Sequence, residues 1–375
     1  MSRNTIKILV INWQDWKHPL AGGAEVHLRE VFRRLANCWE IHVLSCSFKG
    51  AKNYEFLEGI HIHRIGERNT FNYWVPFKYR QLEREIGFDL VIEDLNKIPF
   101  YTKLYSKKPK LAILHHLFGK SIFEETNPIF ALYVLFHENL IPKFYKGIPF
   151  VVVSESTREE LVRMGIPERD VRIIYNGIDV EFFRPGEKAK NPRVVYLNRI
   201  RKYKRPDLAL KVFDVVRRYV SDAEFLVVGD GPYLNRVKAM AKELSLNVKF
   251  TGYVDEKTKR DILSSAWVVV NTSAKEGWGL VNMESFACGT PVVGFKVPGV
   301  KDSIKEGFNG FLVDYGDVNG MAEMVVQILR DNSLRERLSQ NARKFAEKFT
   351  WDRAAEGFKG VISEIISKRP FPSTL

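Results

Sequence analysis

Glu276-Gly-Trp-Gly-Leu-Val-Asn-Met-Glu284 runs directly into Ser285-Phe-Ala-Cys-Gly-Thr-Pro-Val-Val293. Two carboxylates stand eight residues apart with two glycines between them, ahead of a short apolar run of the kind that forms a buried strand. Gly277 and Gly279 let the backbone approach a ligand closely. A helix is expected to start near Leu280, so its unpaired N–H groups and positive dipole end face whatever lies over the loop. Such an end suits a diphosphate. Glu276 then sits in the loop and Glu284 about one turn into the helix, roughly 10 Å away at helical rise. A pyrophosphate with a sugar on one side and a ribose on the other would span that distance. The plain alternative is a loop-to-helix turn with two solvated glutamates, and the remainder of the chain decides between them.

The chain has 375 residues, enough for two domains of ordinary size, each with its own core. Its hydrophobic fraction of 45% is that of a globular protein. Cys38, Cys46 and Cys288 are scattered and form no CxxC or His/Cys cluster, which argues against a disulfide framework or structural zinc and fits a reducing, cytoplasmic setting. The strand-like Ile6-Lys-Ile-Leu-Val-Ile11 lacks the basic-then-apolar form of a signal peptide. The longest apolar patch, near residues 128–141, is interrupted by His137, Glu138 and Asn139 and is too short to span a membrane.

A net charge of +13 calls for an anionic partner. No helix-turn-helix, zinc finger or RNA-binding aromatic signature is visible, so nucleic acid is not expected. One basic region stands out. Lys97, Lys103, Lys107, Lys108, Lys110 and Lys120 follow one another without an acidic residue, interleaved with Phe100, Tyr101 and Tyr105. Just upstream, Phe71-Asn-Tyr-Trp-Val-Pro-Phe77 precedes Lys78, Arg80 and Arg84. Basic side chains beside exposed aromatics suit peripheral contact with an anionic membrane; the competing reading is a solvated face whose aromatics belong to the core.

Short apolar runs alternate with helix-period segments along the whole chain, the pattern of βαβ units and parallel sheets. Strands are predicted at 7–12, 40–45, 60–65, 90–92, 111–114 and 150–154, and again at 193–198, 223–228, 248–251, 267–271, 291–295 and 310–313. Each half reads as an α/β unit of Rossmann type. The domains are expected at 1–185 and 186–350, with a hinge in the turn-rich stretch 184–192. Residues 351–375 are expected to form an amphipathic crossover helix over 351–368 and a tail through Arg369-Pro-Phe-Pro372.

Gly22-Gly-Ala-Glu25, Val153-Ser-Glu-Ser-Thr157, Tyr175-Asn-Gly-Ile-Asp179, Arg199 with Lys204-Arg-Pro-Asp207, Val228-Gly-Asp-Gly-Pro232, Gly252-Tyr-Val-Asp255 and the opening motif occur in series. In that order they make the chain resemble family 4 of the retaining glycosyltransferases over nearly its full length. The resemblance implies the GT-B fold: two facing Rossmann-like domains, the first on the acceptor side and the second on the nucleotide-sugar donor side, with a cleft between them and the C-terminal helix crossing back. Gly22 and Gly23 would form a loop over the donor diphosphate or acceptor, with a helix from Ala24 to about Ala36. Arg199 and Lys204 would meet the charge that develops on a departing nucleoside diphosphate, in place of a metal. Without the resemblance, they belong to a basic cluster with Arg201, Lys202 and Arg205 that could simply be solvated.

The resemblance also places a histidine near the donor sugar and acceptor. His115 aligns better than its neighbour His116. Glu276 would contact hydroxyls of the donor sugar, Glu284 the ribose diol, and backbone N–H groups around Gly279 and Leu280 the distal phosphate, with Gly277 in the same donor-binding loop. The backbone near Val254 would meet the base, leaving its identity unread. Asn198 stands where many relatives have glycine, so this loop is expected to be shaped differently. Glu93-Asp94 lacks the D-x-D spacing of a metal motif and reads as a strand-end surface feature.

The expected function is therefore transfer of a sugar from a nucleotide diphosphate sugar to an acceptor hydroxyl with retention, in glycolipid, lipid-linked oligosaccharide or surface polysaccharide synthesis. No cofactor and no metal are expected. The alternatives are a GT-B phosphorylase, a nucleotide-sugar epimerase, or a non-enzymatic protein that binds anionic surfaces.

Overall fold

The computed structural model describes residues 5–367, so Lys368 and the expected tail lie outside the described residues. The apolar runs form two separate sheets, each in its own compact unit. Unit one holds the chain up to Gly119, then Leu132–Gly177 and the helix from Trp351; unit two holds Lys120–Ala131 and Ile178–Thr350.

The strands of unit one are β1 Lys7–Ile11, β2 Glu40–Ser45, β3 Tyr54–Leu57, β4 Ile60–Arg64, β5 Leu90–Leu95, β6 Lys110–Leu114, β7 Phe150–Val152 and β8 Val171–Ile173. They lie in the order β3-β4-β2-β1-β5-β6-β7-β8. All pairings are parallel except the β3–β4 hairpin. Glu58 and Gly59 both take positive φ at that hairpin, as a two-residue turn between twisted strands requires. Helices α1 Gly23–Leu35, α2 Phe71–Glu85, α3 Pro128–Asn139, α4 Ile141–Tyr145 and α5 Glu155–Arg163 connect them; Ser154 caps α5 by accepting from the N–H of Thr157.

In unit two, β9 Arg193–Leu197, β10 Glu224–Val228, β11 Val248–Gly252, β12 Val268–Asn271, β13 Val292–Phe295 and β14 Gly310–Val313 form an all-parallel sheet in the order β11-β10-β9-β12-β13-β14. Its helices are α6 Pro206–Tyr219, α7 Leu234–Glu243, α8 Glu256–Ser265, α9 Leu280–Ala287, α10 Val300–Ser303, α11 Val318–Arg330 and α12 Asn332–Ala346. Strands such as Val268–Asn271 and Val292–Phe295 are buried throughout, which is why they read as unbroken apolar runs. The last helix, α13 Trp351–Ser367, returns to unit one: Asp352 pairs with Arg34 of α1 at 2.6 Å, and Phe358 lies against Phe32.

Several expectations are corrected. β5 runs on to Leu95, because Glu93 and Asp94 are buried rather than at the surface. Glu93 accepts from the Thr102 N–H at 3.1 Å and from the Tyr145 hydroxyl at 2.6 Å, so the sheet interior satisfies a charge the sequence placed in water. β3 and β8 were not expected. In the expected hinge stretch 184–192, the half-buried Lys188 donates from its ammonium to the carbonyl of Ala266 and to Thr290 Oγ1, both in unit two. Phe71 and Phe100 stack edge to face in the core of unit one and do not belong to an exposed aromatic face.

Candidate functional site

In each sheet the strand order reverses direction between two central strands, and ligands of open α/β sheets bind beyond the carboxyl ends of the strands at that point. In unit two the reversal lies between β9 and β12. β9 delivers Asn198, Arg199 and the turn to Lys204, while β12 delivers Asn271 to Glu276.

The basic cluster after β9 sorts itself by partner. Arg205 grips Asp207 at 2.7 Å, and Arg201 faces Glu125 at 3.3 Å. Lys204 turns inward, its backbone carbonyl held by the hydroxyls of Tyr196 and Thr272. Its ammonium lies 2.5 Å from Glu276 Oε1, with only 9% and 14% of the two side chains exposed. Burial alone would lower the pKa of this lysine; the Glu276 carboxylate more than offsets that and leaves it raised. Ser273 Oγ donates to the same Glu276 oxygen at 2.7 Å. Lys204 is thus a fixed, desolvated cation, not a solvated one. Arg199 stands exposed directly after β9.

The Glu276 loop is held from below. Its N–H donates to the carbonyl of Pro298 at 3.1 Å. Gly299, with φ of +81°, lies so close that any Cβ there would strike the Glu276 carbonyl. No local signal singles out Gly299, because this constraint is tertiary. Gly279 takes φ of +72° as the N-cap of α9. Behind it, Asn271 Nδ2 donates to Asn282 Oδ1 at 2.8 Å and Asn282 Nδ2 to Ser303 Oγ at 3.0 Å, a buried relay that fixes the helix start at Leu280.

Glu284 sits in the second turn of α9, with Oε1 2.7 Å from the Lys259 ammonium of α8. Its Oε2 is buried without a partner among the described residues. A buried carboxylate oxygen in that state is an acceptor waiting for a hydroxyl. Burial raises the Glu284 pKa, and Lys259 works against that shift. Val254 is half-buried between Gly252, whose carbonyl accepts from the N–H of Gly229 at 2.9 Å, and Asp255, which caps α8. Asn198 carries its own consequence: its carbonyl abuts Gly229, which could not carry a Cβ there, and its Nδ2 is buried without a partner among the described residues.

Arg199, Lys204, Val254, Glu276, Gly277, Gly279, Leu280 and Glu284 all belong to unit two; Gly22, Gly23 and His115 belong to unit one. There the reversal lies between β1 and β5. Gly22 is the N-cap of α1, and its N–H donates to Glu25 at 2.6 Å. His115 follows β6 and its Nε2 lies 3.3 Å from Asp94 Oδ2. Burial would lower the His115 pKa; Asp94 outweighs it and Glu25 adds to the effect, leaving it raised. His116 turns instead to the ring of Phe118. Sequence reasoning missed Asp94, Glu25 and His27. The His27 ring is fully buried, 4.9 Å edge-on from His115, with both nitrogens unpartnered among the described residues. His27, Asp94 and His115 lie close enough to hold a metal ion, as do Glu40, His42 and His61 on β2 and β4.

Two family profiles match successive parts of the chain: Glycosyltransferase Family 4 over residues 21–182 and Glycosyl transferases group 1 over residues 178–345. An uncharacterized glycosyltransferase of Methanocaldococcus jannaschii is 24% identical across 94% of this chain and 96% of its own length. The N-acetyl-alpha-D-glucosaminyl L-malate synthase of Bacillus anthracis is 29% identical across 57% of this chain and 59% of its own length. Among solved structures, sucrose-phosphate synthase from Thermosynechococcus elongatus matches with a TM-score of 0.82 at 19% identity, over 97% of this chain and 100% of that one. Anabaena HepE in complex with UDP and glucose matches with a TM-score of 0.76 at 19% identity, over 96% of this chain and 100% of that one. The fold and its relatives define a glycosyltransferase of the GT-B class. Within that class, the chain belongs to the group 1, family 4 glycosyltransferases.

Proposed function

We propose that the enzyme transfers a sugar from a nucleoside diphosphate sugar to an acceptor hydroxyl with retention of anomeric configuration and without a metal. The observation that carries this reading is the Lys204–Glu276 pair, held at 2.5 Å beside the open N-terminus of α9. The anomeric C–O bond to the diphosphate breaks and its electron pair passes to the phosphate oxygen. Arg199 and Lys204 would meet that growing charge, which is where preorganised cations contribute most to rate. The backbone N–H groups around Gly279 and Leu280 would hold the distal phosphate, with Gly277 in the same donor-binding loop. Glu276 would orient hydroxyls of the sugar, and the unpartnered oxygen of Glu284 a ribose hydroxyl. The acceptor oxygen attacks from the face the diphosphate leaves, and its proton goes to the departing phosphate. In unit one His115, oriented by Asp94, would hold a sugar or acceptor hydroxyl.

The acceptor is read as lipid-linked, within glycolipid, lipid-linked oligosaccharide or surface polysaccharide synthesis, because the N-terminal unit carries a cationic, partly aromatic face. The first experiment is a thermal-shift screen of UDP-, GDP- and ADP-sugars, in which the right donor raises the melting temperature by mass action. Absence of any donor response, with intact fold, would overturn the reading.

A further inference from the structure

Three of the eight histidines in the chain stand together on two neighbouring strands of unit one. Side chains along a strand alternate between the two faces of the sheet. Glu40 and His42, two apart on β2, therefore point the same way, and the register sets His61 of β4 opposite His42 and His63 opposite Leu44. All four side chains share one face near the edge of the sheet. The rings of His42 and His61 stack 4.5 Å apart with 14° between their planes. His42 also meets Phe88 edge-on at 5.3 Å, and its register partner on β1 is Leu9. An apolar side chain would fill that place without desolvating a polar ring, so packing alone does not call for these imidazoles.

Hydrogen bonds aim their nitrogens. Tyr54 Oη of β3 lies 2.9 Å from His61 Nδ1, and His63 Nε2 lies 3.0 Å from His42 Nδ1. With both Nδ1 atoms engaged, the Nε2 atoms are left for another partner. His42 Nε2 lies 2.8 Å from Glu40 Oε1. One ligating atom from each of Glu40, His42 and His61 falls within 4.8 Å of the other two. Ligands at about 2.0–2.1 Å around a tetrahedral ion stand roughly 3.3 Å apart, a spacing that modest side-chain rotation reaches from here. An imidazole that ligates through Nε2 has its other nitrogen oriented by an outer partner; Tyr54 and His63 hold those positions. His42 is buried while Glu40 and His61 are partly exposed, which leaves an entry path from solvent.

We propose that Glu40, His42 and His61 bind a divalent transition-metal ion of the zinc class, with water in the fourth position, and that the ion clamps the β3–β4 edge hairpin to β2. Two imidazoles and one carboxylate suit zinc, whereas calcium and magnesium take oxygen ligands. The ion replaces the proton that His42 Nε2 shares with Glu40; the neutral ring then carries its N–H on Nδ1 and donates it to His63 Nε2. Lys7 is the cation facing the group, 3.8 Å from Glu40, and its ammonium keeps a second acceptor in the Ile86 carbonyl when the ion takes the carboxylate. Glu40 is the first residue of β2, at the amino end of the sheet, while His115 follows the carboxyl end of β6. The ion therefore holds the sheet edge together and takes no part in transfer. The group of His27, Asp94 and His115 is the competitor for the same metal.

The test is titration of the untagged, metal-stripped full chain with Co²⁺, read by visible ligand-field absorption, with displacement by Zn²⁺ and calorimetric melting with and without Zn²⁺. Wild type should bind a single equivalent of Co²⁺, show the intense visible bands of a low-coordinate nitrogen–oxygen site, and melt at a higher temperature with Zn²⁺ in excess. His61→Gln alters a partly exposed side chain, so its metal-free melting midpoint should hold while its affinity falls at least tenfold. Tyr54→Phe keeps all three ligands and removes only the outer hydroxyl, and should weaken binding about tenfold. Wild type without the bands or the melting shift, or affinity undiminished in either variant, overturns the proposal. So does Co²⁺ binding that survives His61→Gln and is lost in His27→Gln, since the ion would then belong to the other cluster.

Discussion

Lys204→Met is the sharpest single perturbation of the proposed mechanism, because it acts on stability and turnover by different routes. The substitution keeps the stem of the side chain and removes the ammonium that lies 2.5 Å from Glu276. Deleting one partner of a buried ion pair costs about 3–5 kcal/mol when the other charge is left stranded. Glu276 is not fully stranded, since it keeps the Ser273 hydroxyl and 14% exposure of its side chain. The structural loss should therefore be nearer 2 kcal/mol, or a fall of roughly 4–8 °C in the melting midpoint of unit two. Turnover should fall more. Removing one preorganised donor from a developing oxyanion costs about 10²–10³ in kcat. Because the charge it meets grows in the transition state, KM for the donor should change far less than kcat. The double variant Lys204→Met, Glu276→Gln separates the two effects: with the stranded carboxylate neutralised, much of the lost stability should return while turnover stays low. The assays are calorimetric melting and initial rates with the donor found by thermal shift. If Lys204→Met turned over within a few-fold of wild type, or if its loss appeared wholly in KM, the assignment of Lys204 to the leaving diphosphate would be wrong.

Four further outcomes are expected. Glu276→Gln should abolish transfer while isothermal titration shows nucleotide binding largely retained; near wild-type turnover would remove Glu276 from the sugar site. Gly299→Ala should cost about 1–3 kcal/mol by straining a positive-φ position against the Glu276 carbonyl, and should lower activity even where the protein is folded. Chelation by EDTA should leave the rate unchanged; loss restored by Mn²⁺ would bring His27, Asp94 and His115 forward as a metal site and refute the metal-free mechanism. Burial, with His42 adding to it, lowers the His63 pKa to about 4. A histidine depressed in the folded state contributes stability above its unfolded value of about 6.5 that is lost as pH falls towards 4. His63→Phe should therefore lose less stability than wild type between pH 7 and 5 in urea titrations, and equal losses would show that His63 is not the titrating group.

What was legible in the sequence follows from where each residue finds its partner. The parallel strands could be read because burial on both faces demands unbroken apolar runs, and the glycine-opened turn at Gly279 because its requirement is local. β5 was cut short at Ile92 since Glu93 and Asp94 are tolerable only through Thr102, Tyr145 and His115, partners nine to fifty-two residues away. β3 escapes because Tyr54–Leu57 is exposed on one face and, among the described residues, its only strand partner is β4. The same division runs through the site. Two glutamates and two glycines announced the loop, but the Lys204–Glu276 pair joins positions 72 residues apart, and nothing local told Lys204 from Arg201 or Arg205. Only the fold gives each of those cations a different acid. The outward face of α3 is the reverse case. From the sequence its apolar run, broken by His137, Glu138 and Asn139, is read only as too short to span a membrane, and it is the buried Glu138 that sets which side of the helix faces in. Glu138 accepts from the backbone N–H groups of Phe118 and Gly119 at 2.7 and 2.9 Å, so the polar residue of the helix is the one turned inward. With that position fixed by the loop it caps, part of the apolar stripe of α3 has nowhere to go but out.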